Sequence, residues 1–222
     1  MVKAVVVDVD GTITDSKRLI QSNGIEALRQ VQQKGVTVML SSGNVLPIAH
    51  GLSVFIGLKG PVIAENGGVV SFKEDVYKLN SNWQPLRAFE FLRTKLEVER
   101  LFTDRWRESE VALKKTVDTE AVREVLKDWN VVIETTGFAI HIMEPGHSKM
   151  NGVRKASELI GVKTKDIAAI GDSDNDVSML KGCGFGIAVA NASSTAKEVA
   201  TYVCSKPHSD GVIEGLQWLG LL

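Results

Sequence analysis

Short apolar runs alternate with amphipathic segments at the start of this chain. Three runs too short for a helix predict buried strands, at residues 3–8, 36–40 and 61–64. Between the first two, apolar side chains recur at helical spacing; Ser22 is predicted to cap this helix and Gly35 to end it. Alternating strands and helices are typical of a parallel α/β sheet.

The pattern changes near residue 80. The middle of the chain predicts two helices and two strands joined by a tight turn, at about 84–97, 118–129, 131–135 and 138–143. The strand–helix alternation returns from Lys149 onward. We therefore predict an α/β protein with a doubly wound parallel-sheet (Rossmann-like) core, residues 1–79 and 148–222, and an inserted α+β cap domain, residues 80–147.

Composition narrows the classes of partner. The chain has 222 residues, 44% of them hydrophobic, and a net charge of −1, so no overall field attracts nucleic acid or an anionic membrane. It shows neither a membrane-length apolar run nor a signal-peptide pattern, which predicts a cytoplasmic protein. Cys183 and Cys204 fit no zinc spacing and are expected to be free thiols, with a disulfide left open. The sequence also leaves open whether the protein forms a homodimer.

Carboxylates follow two of the predicted strands. Asp8 and Asp10 end the first strand, and residues 171–176 (Gly-Asp-Ser-Asp-Asn-Asp) follow another predicted strand, residues 167–170. These ends meet at one edge of a parallel sheet, where such folds bind ligands. Asp172 and Asp176, with Asp8, would offer the hard oxygen ligands that suit Mg²⁺. The simpler alternative is a pair of acidic turns, with Asp174 as a helix cap.

Two further sites offer groups for an anion. Ser42 and Gly43 follow the second strand at a helix N-terminus, which can cradle a phosphate but is also a common cap. Lys149 begins the helix after the predicted cap domain, where a cation is unfavourable to the helix dipole. A surface lysine is the default interpretation, but this position favours an anionic partner.

In this order the four segments resemble the haloacid dehalogenase-like phosphatase superfamily. The matching residues are Asp8-Val9-Asp10-Gly11-Thr12, Ser42 with Gly43, Lys149, and Gly171-Asp172 through Asn175-Asp176. The insertion between the second and third motifs resembles the subclass with a large α/β cap, and Glu65–Gly68 resembles that subclass's Asn-Gly turn. Within it the chain looks most similar to archaeal-type phosphoglycolate phosphatases, through its compact cap, Asn44 and the segment Arg105-Trp106-Arg107-Glu108.

The resemblance implies Mg²⁺-dependent hydrolysis of a small phosphorylated metabolite, 2-phosphoglycolate, through an aspartyl-phosphate. Asp8 would be the nucleophile and Asp10 the general acid and base. The implied metal ligands are Asp8, the Asp10 carbonyl, Asp172 and Asp176. Ser42, Gly43 and Lys149 would bind the phosphoryl group, with Asn175 orienting either the lysine or the phosphate.

A substrate carboxylate would need a cation, and arginine suits it best. We expect Arg105 and Arg107 in the cap to fill this role, with His141 a weaker candidate. The alternatives are a solvated strand face for the arginines and a structural role for the histidine. Trp106 is expected in the cap core, and residues 15–18 are interpreted as an exposed connection.

Other functions remain open from the sequence. A sugar-phosphate phosphatase or a phosphomutase would keep the chemistry and change the substrate. A receiver protein that accepts phosphate on aspartate would need neither Asp10 nor a long insertion. An inactive binding module is disfavoured because unpaired buried charges are costly to retain.

Overall fold

The computed structural model describes all residues from 1 to 222. It contains eleven strands: β1 (Ala4–Asp8), β2 (Thr37–Ser41), β3 (Val62–Ala64), β4 (Val69–Phe72), β5 (Asp75–Lys78), β6 (Glu110–Leu113), β7 (Val132–Thr135), β8 (Ile140–Met143), β9 (Ile167–Gly171), β10 (Phe185–Ala188) and β11 (Tyr202–Val203). Its eight helices are α1 (Ser22–Gln33), α2 (Leu46–Ile56), α3 (Trp83–Leu92), α4 (Thr119–Leu126), α5 (Lys149–Ile160), α6 (Val177–Gly182), α7 (Ser194–Val199) and α8 (His208–Trp218).

Eight strands form one sheet in the order β11-β10-β9-β1-β2-β3-β4-β5. The strands from β11 to β3 pair in parallel, and β4 and β5 add an antiparallel edge. The predicted α/β class is confirmed. The sequence does not predict strand β5, because it is short and mostly exposed and no apolar run marks it.

Helices cover both faces of the parallel part of this sheet, which explains why its central strands are apolar. On β1, Val5 and Val7 pack in one cluster with Leu28 of α1 and Leu216 of α8. Ala4 and Val6 point to the other face, into a cluster that includes residues of α5 and α6. This alternation makes β1 a central, doubly buried strand with its carboxyl end at the ligand edge.

A second sheet, in the antiparallel order β6-β8-β7, stands between β5 and β9 in the chain. Helices α3 and α4 cover one of its faces, with Leu92 and Leu126 packed against Ile140 and Ile142. This is the predicted α+β pattern. The boundaries 80–147 stay a prediction, since sheet pairing alone does not delimit a domain.

One local expectation for this region is wrong. The alternative for Arg105 and Arg107 places both on a solvated strand face, but Phe102–Trp106 is a short 3₁₀ helix. Its polar and aromatic residues do not join the sheet, which takes Glu110–Leu113 as its edge strand.

Cys183 and Cys204 are both free thiols, as the spacing predicted. No helix here combines the length and the apolar composition needed to cross a membrane.

Candidate active site

Three carboxylates converge at the carboxyl edge of the large sheet. Asp8 is the last residue of β1, Asp172 follows β9, and Asp176 ends a short 3₁₀ turn after it. One carboxylate oxygen from each lies within 4.8 Å of the other two. Adjacent parallel strands end at the same edge, so the two acidic motifs meet although they are far apart in sequence.

Lys149, the first residue of α5, lies between two of these carboxylates. Its Nζ is 2.5 Å from Asp8 Oδ1 and 2.5 Å from Asp176 Oδ1, and its side chain is fully buried. Burial disfavours the charged amine, but the two carboxylates outweigh burial and raise the pKa of Lys149. The residue is therefore no surface lysine.

The carboxylates crowd one another despite this lysine. Burial and Asp176 raise the pKa of Asp8 well above its ordinary value, and Lys149 opposes the shift. Burial and Asp176 also raise the pKa of Asp172 to about 6. One lysine thus balances only part of the negative charge. A hard divalent cation at these oxygens would supply the missing charge, so the donor set fits Mg²⁺.

The loop after β9 holds its own acids in place. Asp176 Oδ2 accepts hydrogen bonds from the backbone N–H groups of Asp172 and Ser173, both at 3.0 Å. Ser173, rather than Asp174, caps the turn. Thr12 Oγ1 donates to Asp172 Oδ1 at 2.9 Å. Gly11 has a φ of +92°, and a Cβ there would lie 2.4 Å from Asp172 Oδ2, so the position requires glycine.

Asp10 is held by two donors. Asn44 Nδ2 donates to Asp10 Oδ2, and Arg18 Nε donates to Asp10 Oδ1, both at 2.7 Å. Asn44 also donates to Ser42 Oγ from its backbone N–H at 3.0 Å and from its side chain at 3.2 Å. One asparagine therefore connects the ends of β1 and β2 and orients both polar side chains.

These groups border a cavity of about 290 Å³. Its lining is polar except for a single aromatic ring, and consists of Asp8, Asp10, Gly11, Asp15, Ser16, Arg18, Gly43, Thr136, Gly137, Phe138, Asp172, Ser173 and Asn175. Residues 136–138 belong to the turn between β7 and β8. The second sheet thus contributes one wall of the cavity, and the large sheet contributes the acids.

A buried polar network joins the two sheets beside the cavity. Arg107 Nη2 donates to the Gly43 carbonyl at 2.9 Å, and Nη1 pairs with Glu110. Asn66 Nδ2 donates to Glu110 Oε2, and Asn66 Oδ1 accepts from Asn175 Nδ2, both at 2.9 Å. Burial raises the pKa of Glu110, but His141 and Arg107 outweigh it and lower the pKa to about 2.

His141 belongs to this network. Its ring is fully buried, with Nδ1 2.9 Å from Glu110 Oε1 and Nε2 3.0 Å from Thr136 Oγ1. Both ring nitrogens have protein partners, so the geometry agrees with the structural alternative.

The structure brings most of the predicted site residues together. Asp8, Asp10, Gly43, Asp172 and Asn175 line the cavity. Lys149 and Asp176 lie immediately behind that lining, hydrogen-bonded to Asp8 and Asp172. Ser42 is connected to it through Asn44, which bonds to both Ser42 and Asp10. Asn175 bonds to Asn66 rather than to Lys149. The roles assigned to these residues stay predictions.

The two cap arginines, which the sequence predicts as contacts of a substrate carboxylate, are not in the cavity lining, and that role stays a prediction. Arg105 lies on the 3₁₀ segment with its guanidinium 4.4 Å from the Phe102 ring centroid and 5.5 Å from that of Trp106. Trp106 is itself substantially exposed rather than part of the cap core. Arg107 points between the two sheets, where Glu110 and the Gly43 carbonyl occupy its guanidinium.

The sequence does not predict several of the residues at this site. Arg18 and Phe138 line the cavity, although residues 15–18 were expected to be a mere connection. No local pattern marks either residue, because loop conformation and the docking of the second sheet place them. Asn44 and Asn66 could have been suspected, since each lies in a motif that supported the family resemblance.

Comparison with protein families gives a match to the haloacid dehalogenase-like hydrolases at residues 5–103 and 90–216. Among curated proteins, a phosphoglycolate phosphatase of Methanothermobacter thermautotrophicus is 39% identical over 215 residues, which cover 97% of each chain. A phosphoglycolate phosphatase of Archaeoglobus fulgidus is 40% identical over 223 residues, covering 99% of this chain and 98% of the relative.

Solved structures agree with the match to this family. A crystal structure from Thermoplasma acidophilum is 31% identical, covers both chains fully and superposes with a TM-score of 0.93. A sugar phosphatase of subclass IIB of the same superfamily reaches a TM-score of 0.85 at 21% identity, over 99% of this chain and all of the other. At that identity the second likeness concerns the fold alone.

Proposed function

The chain belongs to the haloacid dehalogenase-like hydrolases, and on that premise we propose that it is a Mg²⁺-dependent phosphatase that converts 2-phosphoglycolate to glycolate and phosphate. Full-length relatives at 39% and 40% identity carry the name phosphoglycolate phosphatase. A cytoplasmic location, predicted from the sequence, is part of this proposal.

One observation carries the proposal: Asp8 lies at the cavity wall with Lys149 behind it and Asp172 and Asp176 beside it. A carboxylate can attack phosphorus only if its repulsion from the phosphate is offset. Here a buried cation and a set of metal-binding oxygens surround the attacking group. The arrangement suits phosphoryl transfer better than proton abstraction or simple anion binding.

The first half of the reaction transfers the phosphoryl group to Asp8. An Asp8 oxygen forms the new bond to phosphorus, and the bond from phosphorus to the ester oxygen breaks. Asp10 gives a proton to the departing alkoxide, which leaves as glycolate. The hydrogen bonds from Asn44 and Arg18 hold the Asp10 carboxyl in one orientation at the cavity wall.

The second half restores the free enzyme. Asp10, now deprotonated, accepts a proton from a water molecule, and the water oxygen attacks phosphorus. The bond between Asp8 and phosphorus breaks, and inorganic phosphate leaves. The same residue serves as acid and then as base, so each turnover returns both aspartates to their initial states.

Positive charge at the phosphoryl oxygens comes from protein and metal. Bound Mg²⁺ would neutralise phosphate charge, and Asp8, the Asp10 carbonyl, Asp172 and Asp176 are the groups that would hold it. Lys149 adds the charge of its ammonium group. Ser42 Oγ accepts both of its hydrogen bonds from Asn44, which leaves its own proton for a phosphoryl oxygen.

The cavity favours a small, polar substrate. Its volume of about 290 Å³ lies just below the roughly 300–1,000 Å³ that is typical of ligand sites. Only one lining residue, Phe138, is apolar. A two-carbon phosphorylated acid fits this size and polarity.

The test is phosphate release with Mg²⁺ from 2-phosphoglycolate, phosphoglycerates, sugar phosphates and p-nitrophenyl phosphate. We expect a clear preference for 2-phosphoglycolate, lost in Asp8→Asn and in EDTA. The matched control is Asp128→Asn, which alters an exposed aspartate of the second sheet region and should leave the rates unchanged.

Each alternative predicts a different result. Comparable turnover of many sugar phosphates would keep the mechanism and overturn the substrate. Phosphate held stably on the protein without multiple turnover would replace the phosphatase with a receiver-like function. Activity retained in Asp8→Asn would overturn the mechanism itself.

A further inference from the structure

Arg18 is the one basic residue among the thirteen that line the cavity. The lysine behind Asp8 and the two cap arginines are outside this lining. The remaining charged residues of the lining are all aspartates. Any anionic part of a ligand that extends from the phosphoryl site into the cavity therefore meets a single protein cation.

The guanidinium of Arg18 is held from both sheets at once. Its Nε donates to Asp10 Oδ1 at 2.7 Å, and its central carbon lies 4.6 Å from the centroid of the Phe138 ring. The hydrogen bond fixes one edge of the guanidinium, and the ring fixes one face. The two terminal nitrogens form no hydrogen bond within the protein, and the side chain is 52% exposed. Their N–H groups are free for a ligand.

The loop before α1 maintains this position. Asp15 Oδ1 accepts from the backbone N–H groups of Lys17 and Leu19 at 2.8 and 2.9 Å, and the Arg18 N–H donates to the Asp15 carbonyl at 2.9 Å. Arg18 adopts a φ of +63° within this turn. Arginine rarely occupies the left-handed region, so the tight turn imposes a conformation that directs the side chain toward the cavity.

We propose that Arg18, rather than a cap arginine, binds the carboxylate of the substrate and sets the preference for a phosphorylated carboxylic acid. This inference rests on the proposed function. The ester oxygen must reach Asp10 to receive its proton, and in 2-phosphoglycolate one methylene separates that oxygen from the carboxylate. Since Arg18 Nε contacts Asp10, a carboxylate one methylene away from the ester oxygen is within reach of the free terminal nitrogens. A planar carboxylate can accept two N–H bonds from this edge.

The experiment compares two substrates of equal length. One is 2-phosphoglycolate, and the other is 2-hydroxyethyl phosphate, in which an alcohol replaces the carboxylate. In Arg18→Gln we expect kcat/KM for 2-phosphoglycolate to fall by about 100-fold, mainly through KM, as loss of charged hydrogen bonds does. The value for 2-hydroxyethyl phosphate should fall by no more than about tenfold, through the lost hydrogen bond to Asp10, because binding of its uncharged group needs no cation.

Two further variants distinguish binding of the carboxylate by the Arg18 guanidinium from an effect on folding and from an unspecific effect of positive charge. Arg18→Lys keeps the charge but not the planar pair of donors, so kcat/KM should fall about tenfold more for 2-phosphoglycolate than for 2-hydroxyethyl phosphate. Lys17→Gln removes a neighbouring exposed charge from the same loop and should leave both substrates unaffected. Thermal unfolding of each variant shows that the fold is retained.

The outcomes are distinct. Equal losses on both substrates in Arg18→Gln would show that Arg18 acts only by positioning Asp10, and would overturn the inference. So would an unchanged preference for 2-phosphoglycolate. In either case Asp8-dependent hydrolysis by the wild-type protein would leave the proposed phosphatase activity standing. Absence of hydrolysis of both substrates by the wild-type protein would overturn the proposed function and this inference together.

Discussion

Asn66 Nδ2 donates a hydrogen bond to Glu110 Oε2 across 2.9 Å, between residues 44 positions apart in the chain. Asn66 follows β3 of the large sheet, and Glu110 begins β6 of the second sheet. Both side chains are buried. This contact, with the Arg107 bond to Gly43, fixes how the second sheet sits over the cavity and hence where its 136–138 turn lies.

Substitution of Asn66 should separate its side-chain role from its backbone role. Asn66 has a φ of +53°. Glycine adopts this φ without strain, so Asn66→Gly removes only the side-chain contacts. It should lower the unfolding free energy by about 2 kcal/mol, because Glu110 and Asn175 each lose a buried partner. Asn66→Ala should cost roughly 1 kcal/mol more, since alanine is strained at positive φ. Urea unfolding measures the unfolding free energy of each variant. Equal values for the two variants would show that the positive φ of Asn66 does not disfavour alanine.

Replacement of Lys149 by methionine should destabilise the metal-free protein. The substitution leaves Asp8 and Asp176 buried without their cation, and removing one partner of a buried ion pair typically costs about 3–5 kcal/mol. We expect this loss in urea unfolding at pH 7, together with loss of phosphatase activity. Lys163→Met, at an exposed position, is the control. A variant as stable as the wild type would show that the lysine does not balance these carboxylates.

The ionised Glu110 should make the free energy of unfolding fall as the solution becomes acidic. Its pKa in the folded protein is about 2, against an ordinary value of 4.5. A lowered carboxyl pKa stabilises the folded state above pH 4.5, and this contribution disappears as the pH falls from 4.5 toward 2. The shift corresponds to roughly 3 kcal/mol. The difference in unfolding free energy between the wild type and Glu110→Gln, measured from pH 7 to pH 2, should shrink accordingly. Glu97→Gln, at an exposed position, is the control, and its unfolding free energy should differ from that of the wild type by the same amount at every pH.

Mg²⁺ should stabilise the protein through Asp172. A ligand present at 100 times its Kd stabilises the folded state by about 2.7 kcal/mol, which appears as a rise in Tm. In Asp172→Asn we expect Mg²⁺ binding weakened by at least about tenfold, because even outer partners of metal ligands contribute that much. Asp174→Asn changes an exposed acid of the same loop and should retain the Tm rise. An undiminished rise in Asp172→Asn would remove this residue from the metal site.

The sequence by itself determined the fold class and the convergence of the acids. Residues of β1 alternate between two apolar clusters, so its apolar run predicted a doubly covered strand. Parallel neighbours end at one edge, so Asp8 and Asp172 had to meet there once β1 and β9 paired. These inferences need only local periodicity and the rule that parallel strands share a direction.

Only the tertiary structure decided which cations face the cavity. Arg107 carries the charge expected of a substrate contact, but the docking of the two sheets directs it to Glu110 and Gly43. Arg18 lies in a turn with no apolar pattern, and its direction depends on a positive φ and on a ring from the second sheet. Side-chain direction in such places follows from contacts between distant segments, which spacing along the chain does not encode.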